Sequence, residues 1–348
     1  MALSLDEEWM NFQNNDIKEE VSANIHEKVV KKELPKCSDI YISTQTKIAY
    51  LNQKIELYKL FWKIPILDYF KAEEGIIKKS IKINCNDKKE VETLEEKIKQ
   101  RKNISVSILS QIDNPNGRKI KFKDVRKIDV GLCKKDLTSY RKKKRGAFYN
   151  CFALILRINY NGEFKEVHVK IFNTGKLEIP GIQYDDLLII TLNKLIDILT
   201  PMVPDIIYNK DDVDTVLINS NFNCGFYIDR FKLFQKLRHK YGFHASYDPC
   251  SYPGIQCKFY YNEEKEIQTG IYDEKIKENW ITVSFMIFRT GSVLIVGNCN
   301  SDILKIIYKY LKTILQDEFN EISIDNNEPL KKKPKKKVKK KVLLFTIE

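Results

Sequence analysis

The sequence predicts an α+β protein of two related halves, each an antiparallel sheet with helices packed against it. An internal repeat is the main observation behind this prediction. Residues 171–199 and 287–315 align without a gap at an offset of 116, and 12 of their 29 positions are identical. The two segments share a Phe-x-Thr-Gly turn and a glycine six residues after it, which chance does not readily supply.

Each copy has the pattern of strand, tight turn, strand and helix. Thr174-Gly175 and Thr290-Gly291 separate runs of alternating residues, which indicates hairpins because glycine tolerates a positive φ. In the second copy, apolar residues recur at helical spacing from Ile303 to Leu315, and Ser301 is placed to cap the helix start. The apolar stripes of both helices require a partner surface, and the adjacent sheet provides one.

A second correspondence indicates an insertion in the first half. Ile55–Phe61 resembles Ile228–Phe234 at an offset of 173, which exceeds the first offset by 57 residues. The surplus is expected within about 68–147, where the composition is strongly charged. Within that range the pattern predicts a helix over Lys89–Arg101 and a strand with one basic face over Lys119–Lys123.

These matches predict four regions. They are an acidic and mixed extension (1–39), a first half with the insertion (40–205), a second half (206–322) and a lysine-rich tail (323–348). Residues 331–341 hold nine lysines, which leaves +4 of the formal net charge of +13 for the rest of the chain. Such a run is typical of a nuclear-import signal or a contact arm for polyanions, and a solubilising tail is the alternative.

Composition narrows the class of protein. With 43% hydrophobic and 31% charged residues, the chain is expected to be globular, and with neither a long apolar run nor a basic leader we expect no membrane span or secretory signal. Eight scattered cysteines without a Cys-x-x-Cys pair favour reduced thiols in an intracellular compartment. No phosphate-binding loop, metal cluster or nucleophile elbow is evident, so we expect no enzyme, cofactor or small-molecule substrate.

Strand alternation places apolar residues on both faces of the second-half hairpin. Met286, Phe288, Leu294 and Val296 fall on one face, and the residues between them fall on the other. A sheet with two apolar faces is typical of a surface that grips a partner, and burial of both faces by helices or by another chain is the alternative.

The second half resembles one half of the TATA-box-binding protein core. The resemblance rests on Asn219, a helix from Ile228, the segment Tyr247-Asp-Pro-Cys-Ser-Tyr-Pro-Gly254 and the Phe288-Arg-Thr-Gly291 hairpin, in that order. The family has Tyr-Glu-Pro-x-x-Phe-Pro-Gly before a strand and Phe-x-Ser-Gly-Lys at the next turn. The lysine, isoleucine and asparagine bias is similar to that of divergent homologues in large nucleocytoplasmic DNA viruses. The resemblance covers roughly 214–316 and, less specifically, 40–60 and 148–200.

The resemblance implies a two-lobed saddle with a concave sheet and two helices per lobe on the convex back. It implies a transcription initiation factor that binds double-stranded A-T-rich promoter DNA in the minor groove and bends it with inserted side chains, a mode of which this family is the standard example. The implied partners are a IIB-type transcription factor and a multisubunit RNA polymerase. The implied location is the host nucleus or a cytoplasmic viral factory, with packaging in the virion as a further option.

The resemblance also implies which residues contact DNA. The wedge positions are Phe288 and Tyr252 in the second half and Phe172 and Tyr149 in the first. Asn219 matches a central asparagine whose counterpart falls near Thr44, and Lys258 takes the place of a phosphate-contacting arginine. The remaining DNA-facing positions are Met286, Leu294, Val296 and Lys170.

The first half departs from the family on the face that carries Phe172. His168, Lys170, Glu178 and Pro180 share that face, and Glu178 would direct a carboxylate toward the negative groove. Three explanations stay open: a looser grip on DNA, a different strand register, or cover by a partner. His168 is expected to make a polar contact rather than to bind a metal. A saddle-shaped scaffold for protein interactions in a viral transcription complex, with weak DNA binding, is therefore the alternative function.

Overall fold

Twelve antiparallel strands form one continuous sheet in a computed structural model that describes residues 33–138, 148–276 and 278–325. All elements below belong to the unit Lys36–Glu348. Residues 326–348 of the predicted tail, with its lysine run, and residues 1–32 of the N-terminal extension lie outside the described residues, whereas Ser323–Ile324 form β14 of the second lobe.

The first lobe runs from β1 to α4 and the second from β8 to β14. The first contains β1 (Tyr41–Tyr50), α1 (Leu57–Lys63), β2 (Gly75–Cys85), α2 (Lys88–Lys99), β3 (Ile104–Asp113), β4 (Phe122–Gly131), α3 (Lys134–Thr138), β5 (Cys151–Tyr160), β6 (Glu163–Phe172), β7 (Lys176–Ile182) and α4 (Asp185–Leu199). The second contains β8 (Asp214–Asn223), β9 (Tyr227–Ile228), α5 (Arg230–Gln235), a π-helical turn (Lys236–Lys240), β10 (His244–Ser246), β11 (Ile255–Tyr261), β12 (Ile281–Ile287), β13 (Ser292–Gly297), α6 (Ser301–Asp317), α7 (Phe319–Ile322) and β14 (Ser323–Ile324).

The strand order shows the pseudo-repeat. β1 and β8 pair at the centre, followed outward by β7, β6, β5 and β2 on one side and by β13, β12, β11 and β10 on the other. Thr44 pairs with Asn219 and Thr46 with Leu217, so a two-fold relation exchanges these pairs at an offset of 173. This is the same offset that relates the sequences around α1 and α5. The α+β, two-lobed saddle of repeated antiparallel sheet is confirmed.

Both hairpin turns depend on glycine, as the sequence predicts. Gly175 and Gly291 have φ angles of +89° and +77°. An added Cβ would lie 2.5 Å from the Gln53 carbonyl oxygen at Gly175 and 2.3 Å from that of Phe226 at Gly291. The turns therefore require glycine for both the positive φ and the close approach of another segment.

The inserted elements extend the sheet at the first-lobe end. β2 occupies the position that β10 has in the second lobe, and β4 and β3 follow it at the edge. The predicted helix is present as α2, over Lys88–Lys99. The strand predicted over Lys119–Lys123 begins three residues too early, because β4 begins at Phe122. The hydrogen bond from Asn114 N to Lys121 O, at 2.8 Å, closes the β3–β4 connection there.

The second lobe has a longer connection of its own between β11 and β12. In the first lobe, β5 and β6 are joined by the tight turn at Asn161 and Gly162, whereas 262–280 join β11 and β12. In this longer connection Tyr272 and Trp280 pack on Tyr260, with ring centroids 5.4 and 6.4 Å away. The 57 residues are therefore the difference between a larger addition in the first lobe and a smaller one in the second.

Each lobe has its own hydrophobic core between its helices and one face of the sheet. Most buried residues of α4 and α6 lie on the predicted stripes, and examples are Leu192, Leu195, Ile307 and Leu311. Leu187, Thr191 and Leu304 are buried beside the stripes, and Ile306, which the pattern places on the second stripe, is exposed. The cap of α6 is Asn300 rather than Ser301, because the Asn300 side chain accepts hydrogen bonds from the backbone of Asp302 and Ile303. Within the described residues, none of the helices has the length and apolar character to cross a membrane.

Each lobe has a buried charged side chain that connects a short helix to a neighbouring element. The Lys79 ammonium on β2 donates to the carbonyl oxygens of Phe61 and Ile64, at 2.6 and 2.7 Å, at the end of α1. Burial, assisted by Arg101, lowers the pKa of Lys79 to about 8.

In the second lobe, Glu318 accepts hydrogen bonds from Lys240 and Tyr241 and forms an ion pair with Lys236. Burial raises the pKa of Glu318, but these donors outweigh it and lower the pKa to about 2. The carboxylate therefore ties the start of α7 to the π-helical turn.

Candidate nucleic-acid interface

The helices α1, α2, α4, α5 and α6 pack against one face of the sheet and leave most of the other accessible. The short α3 lies on that other face at the outer first-lobe strands, where Asp136 contacts Lys78 at 2.8 Å and the Lys134 amide donates to Glu166 at 3.0 Å. On β12 and β13, Phe285 and Ile295 are buried in the core, whereas Met286 and Leu294 on the opposite face are only half-buried. This alternation is the one predicted from the sequence. We call the second surface the open face; its main residues are Thr44, Thr46, Phe172, Lys170, Glu178, Pro180, Asn219, Val296, Leu294, Met286, Phe288 and Lys258.

The second-lobe half of the open face is mainly apolar. Met286 pairs with Leu294 across β12 and β13, and Val296 continues this row to Asn219 on β8. Exposed Lys258 on β11 lies on the outer side of these residues. The cross-strand apolar contacts form a continuous surface that water solvates poorly.

Two aromatic rings stand together at the end of this surface. The centroids of Tyr252 and Phe288 are 5.9 Å apart with an angle of 58° between the rings, and both side chains are half-buried. Gly254 makes room for them, since an added Cβ would lie 3.0 Å from Cε1 of Phe288 and 3.1 Å from Cε1 of Tyr252. The predicted second-lobe wedge residues are thus neighbours on the open face.

The loop that carries Tyr252 is held by local hydrogen bonds. The Tyr252 amide donates to the Asp248 carbonyl at 2.9 Å, and the Asp248 carboxylate accepts from the Cys250 amide at 3.0 Å. Hydrogen bonds from Ser251 and from the Cys250 amide lower the pKa of Asp248. Arg230 of α5 donates to the Pro253 carbonyl oxygen. These contacts position the ring before any partner binds.

The strand register identifies the first-lobe counterparts independently of sequence similarity. β5 and β6 pair in the same way as β11 and β12. The equivalent pairs are Phe152 with Ile171 and Ile255 with Ile287. Counting three residues back from the β5 and β11 members gives Tyr149 and Tyr252. The register therefore supports Tyr149 as the counterpart of Tyr252, beside Phe172 as the counterpart of Phe288.

The first-lobe aromatic residues lie under lysines. Tyr149 is 52% exposed, and the Lys82 ammonium lies 3.7 Å from its ring centroid. The Lys176 ammonium lies 5.7 Å from the ring centroid of half-buried Phe172. Lys82 belongs to β2, so sequence reasoning missed it, because only the sheet topology shows that β2 borders the open face beside β5.

The first-lobe centre carries an ion pair where the second lobe is apolar. Lys170 pairs with Glu178 across β6 and β7, and the ammonium lies 2.5 Å from Oε1 of the carboxylate. The Glu178 charge that the sequence places toward the groove is therefore neutralised by its neighbour. Burial and Lys170 lower the pKa of His168, which Glu178 opposes only in part, so the imidazole is neutral at pH 7.

Asn219 lies at the middle of the open face. Its side-chain amide donates to Thr44 Oγ1 at 3.1 Å, and its backbone carbonyl accepts from Ser43 Oγ at 3.0 Å. The two-fold relation places its counterpart at Thr46, two residues after the Thr44 position named from the sequence. Thr44 is instead the cross-strand partner of Asn219, and both threonines lie on the open face.

The fold and this face together define a class: a two-lobed saddle whose sheet presents paired aromatic residues in each lobe. A protein of Acanthamoeba polyphaga mimivirus described as TATA-box-binding protein-like is 24% identical over 202 residues, which are 54% of this chain and 53% of that protein. The chain thus matches about half the length of this relative. The resemblance to this family that the sequence predicts is confirmed by this relative.

No family model matches the chain. Among solved structures, Methanococcus jannaschii TBP is similar with a TM-score of 0.39 and 13% sequence identity, over 80% of this chain and 99% of that chain.

Proposed function

We propose that this protein is a transcription initiation factor that binds promoter DNA in the minor groove through the open face and bends it. The observation that carries this proposal is the pair of aromatic residues in each lobe on one face of a continuous sheet. Aromatic side chains that enter base steps unstack them and bend the duplex toward the major groove. A-T-rich sites are favoured because their minor groove lacks the guanine amino group and some of their steps kink easily.

The charges around the open face fit a polyanion. Lys82, Lys176 and Lys258 border the aromatic and apolar residues, where they contact phosphates that flank the kinked steps. Lys170 is occupied by Glu178 and contributes less net charge. Phosphate contacts fix the position of the duplex, while the apolar surface selects a groove that can widen and bend.

The direct test is binding of an A-T-rich duplex by the full chain and by a chain that ends at residue 325. Binding by the lysine-rich tail alone is steeply salt-dependent and insensitive to sequence. We expect the shortened chain to keep its preference for A-T-rich over G-C-rich duplex, with a smaller salt dependence. Loss of all duplex binding on removal of the tail would contradict the proposal.

The proposed partners and location follow the same reasoning. The mimivirus relative is described by name as TATA-box-binding protein-like. The partners proposed for this chain are those that the family resemblance implies, a IIB-type factor and a multisubunit RNA polymerase. A lysine run at 331–341 suits transfer into the host nucleus, and a cytoplasmic viral factory is the other proposed location. Pull-down of a IIB-type factor with promoter duplex present is the experiment for the partner.

One observation favours a second function. The Lys170–Glu178 ion pair makes the first-lobe half of the open face polar, and a polar surface suits a protein partner as well as a duplex. In that case the saddle is a scaffold in a viral transcription complex with weak DNA binding. A duplex affinity that is equal for all sequences, together with capture of a polymerase component by the first lobe, would favour the scaffold.

A further inference from the structure

The two lobes present different chemistry at equivalent positions of the open face. Lys170 and Glu178 are cross-strand partners in the first lobe, and Met286 and Leu294 are cross-strand partners in the second. The offset of 116 that defines the repeat relates both members of one pair to both members of the other. An ion pair in one lobe thus replaces an apolar pair in the other.

The ion pair remains accessible from the open face. The Lys170 and Glu178 side chains are 24% and 26% exposed, and the ammonium contacts Oε1 of the carboxylate. A carboxylate has about four lone-pair positions, so one such contact leaves acceptor capacity, and an ammonium has three donors. The pair therefore offers a hydrogen-bond acceptor and a donor side by side.

The minor groove of DNA distinguishes these chemistries. An A·T pair shows only acceptors there, at adenine N3 and thymine O2, whereas a G·C pair adds the guanine N2 amino donor. A carboxylate is repelled by the A·T pattern and accepts from the guanine amino group. An apolar pair leaves that amino group buried without a partner, which is unfavourable.

We propose that Lys170 and Glu178 make the first lobe prefer a G·C pair at the step it covers, while Met286 and Leu294 confine the second lobe to A·T pairs. This inference rests on the proposed minor-groove binding. Glu178 accepts from guanine N2, and Lys170 donates to the acceptor beside it. The protein thereby binds an asymmetric site in one orientation, because the two half-sites require different base pairs.

Inosine provides the chemical test, since it lacks the N2 amino group and makes an inosine·C pair resemble A·T in the minor groove. A series of A-T-rich duplexes carries one G·C pair at each successive position, with a matched series carrying inosine·C. For the full chain, we expect inosine to weaken binding about tenfold at one or two positions in one half-site. In the other half-site inosine is expected to strengthen binding.

The matched variant transplants the second-lobe pair into the first lobe as Lys170→Met with Glu178→Leu. We expect this variant to lose the positions where inosine weakens binding and to favour inosine in both half-sites. Glu178→Gln keeps the shape and is a milder second variant, with a reduced preference for guanine. Circular dichroism and thermal unfolding check that both variants fold.

The outcomes separate this inference from the proposed function. Binding and bending of A-T-rich duplex, combined with an inosine effect that is the same in both half-sites, overturn only the preference assigned to Glu178. An inosine profile that the double variant leaves unchanged has the same consequence. Absence of any sequence-dependent duplex binding by the full chain overturns both.

Discussion

Single side chains decide how closely each lobe approaches a duplex. Tyr252 and Phe288 form a preassembled pair beside Gly254, whereas Cys151 takes the position of that glycine in the first lobe. The rings of Tyr252 and Phe288 occupy the space into which any side chain larger than that of Gly254 would extend. At the residue scale, the second lobe is therefore the more specialised wedge.

Replacement of this glycine tests the packing of the wedge. We expect Gly254→Val to displace both rings, because its side chain would overlap Phe288 and Tyr252. The bend angle of bound duplex, measured by fluorescence transfer, should fall, and overpacking should destabilise the fold by about 1–3 kcal/mol. Cys151→Val at the equivalent first-lobe position is the control. An unchanged bend angle with Gly254→Val would show that ring position is not limiting.

The Glu318 carboxylate is expected to make the stability of the fold sensitive to acid. Its folded-state pKa of about 2 lies below the ordinary value of 4.5, so its contribution is complete above pH 4.5 and is lost as the pH falls toward 2. The full difference corresponds to about 3 kcal/mol of unfolding free energy. We expect the stability advantage of the native protein over Glu318→Gln, from urea unfolding, to shrink steadily below pH 4.5. A constant advantage from pH 6 to pH 3 would contradict this role.

At the scale of elements, α1 depends on a lysine from β2. Lys79 donates to the carbonyl oxygens of Phe61 and Ile64, which have no further helical turn to accept from. The short helix is therefore joined to the sheet by hydrogen bonds as well as by its apolar face. A buried lysine without a carboxylate among these contacts has a measurable pH signature.

The expected signature is a gain of stability in alkali. The folded-state pKa of Lys79, about 8, is below the unfolded value of 10.5, so the unfolded chain binds more protons between these values and stability rises with pH. Native protein should therefore gain up to about 3 kcal/mol relative to Lys79→Met between pH 7 and pH 10.5, measured by urea unfolding. A difference that does not change over this interval would rule out the buried ammonium.

The inserted strands are expected to lengthen the basic border of the open face. Lys82 on β2 lies over Tyr149, and Lys127 on β4 lies opposite Lys82 in the register. We expect Lys82→Gln to reduce the slope of log binding constant against log salt by about 1, as for one lost phosphate contact. Lys89→Gln on α2, at the helix-covered side, is the control and should leave the slope unchanged. Equal effects of both substitutions would indicate only a general charge effect.

The predictable elements are those set by local chemistry. The glycine turns, the alternation of β12 and β13 and the stripes of α4 and α6 follow from neighbouring residues, and the structure has them. The pairing of β2 with β5, and hence the place of Lys82, depends on contacts between residues about 70 to 80 positions apart. The start of β4 at Phe122 likewise depends on where β3 ends, which the lysine alternation does not show.

The site was predictable to a similar depth. The alternation of side chains along the strands places Met286, Phe288, Leu294 and Val296 on one face. The strand register of the structure supports Tyr149 as the first-lobe counterpart of Tyr252. The ion pair between Lys170 and Glu178 was not foreseen, although both residues were assigned to the same face. Their cross-strand alignment requires the register of β6 with β7, which the sequence leaves open.

For the whole molecule, the two lobes differ in what they add to a common scaffold. The first lobe has additional strands at the sheet edge and an ion pair on its half of the open face. The second lobe has an apolar half of the open face and the longer 262–280 connection. Pseudo-symmetry therefore describes the backbone, whereas the open face is polar at one end and apolar at the other. We expect this asymmetry to orient the protein on DNA.

The central claim is that the open face bends DNA by inserting its aromatic side chains. The most direct measurement is fluorescence transfer between the ends of an A-T-rich duplex bound by the native chain and by Phe288→Ala with Tyr252→Ala. Both side chains are half-buried on the surface, so the double variant should fold as the native protein does. We predict that the bend disappears in the double variant while binding through lysines persists. A bend of the same size in both proteins would contradict the claim.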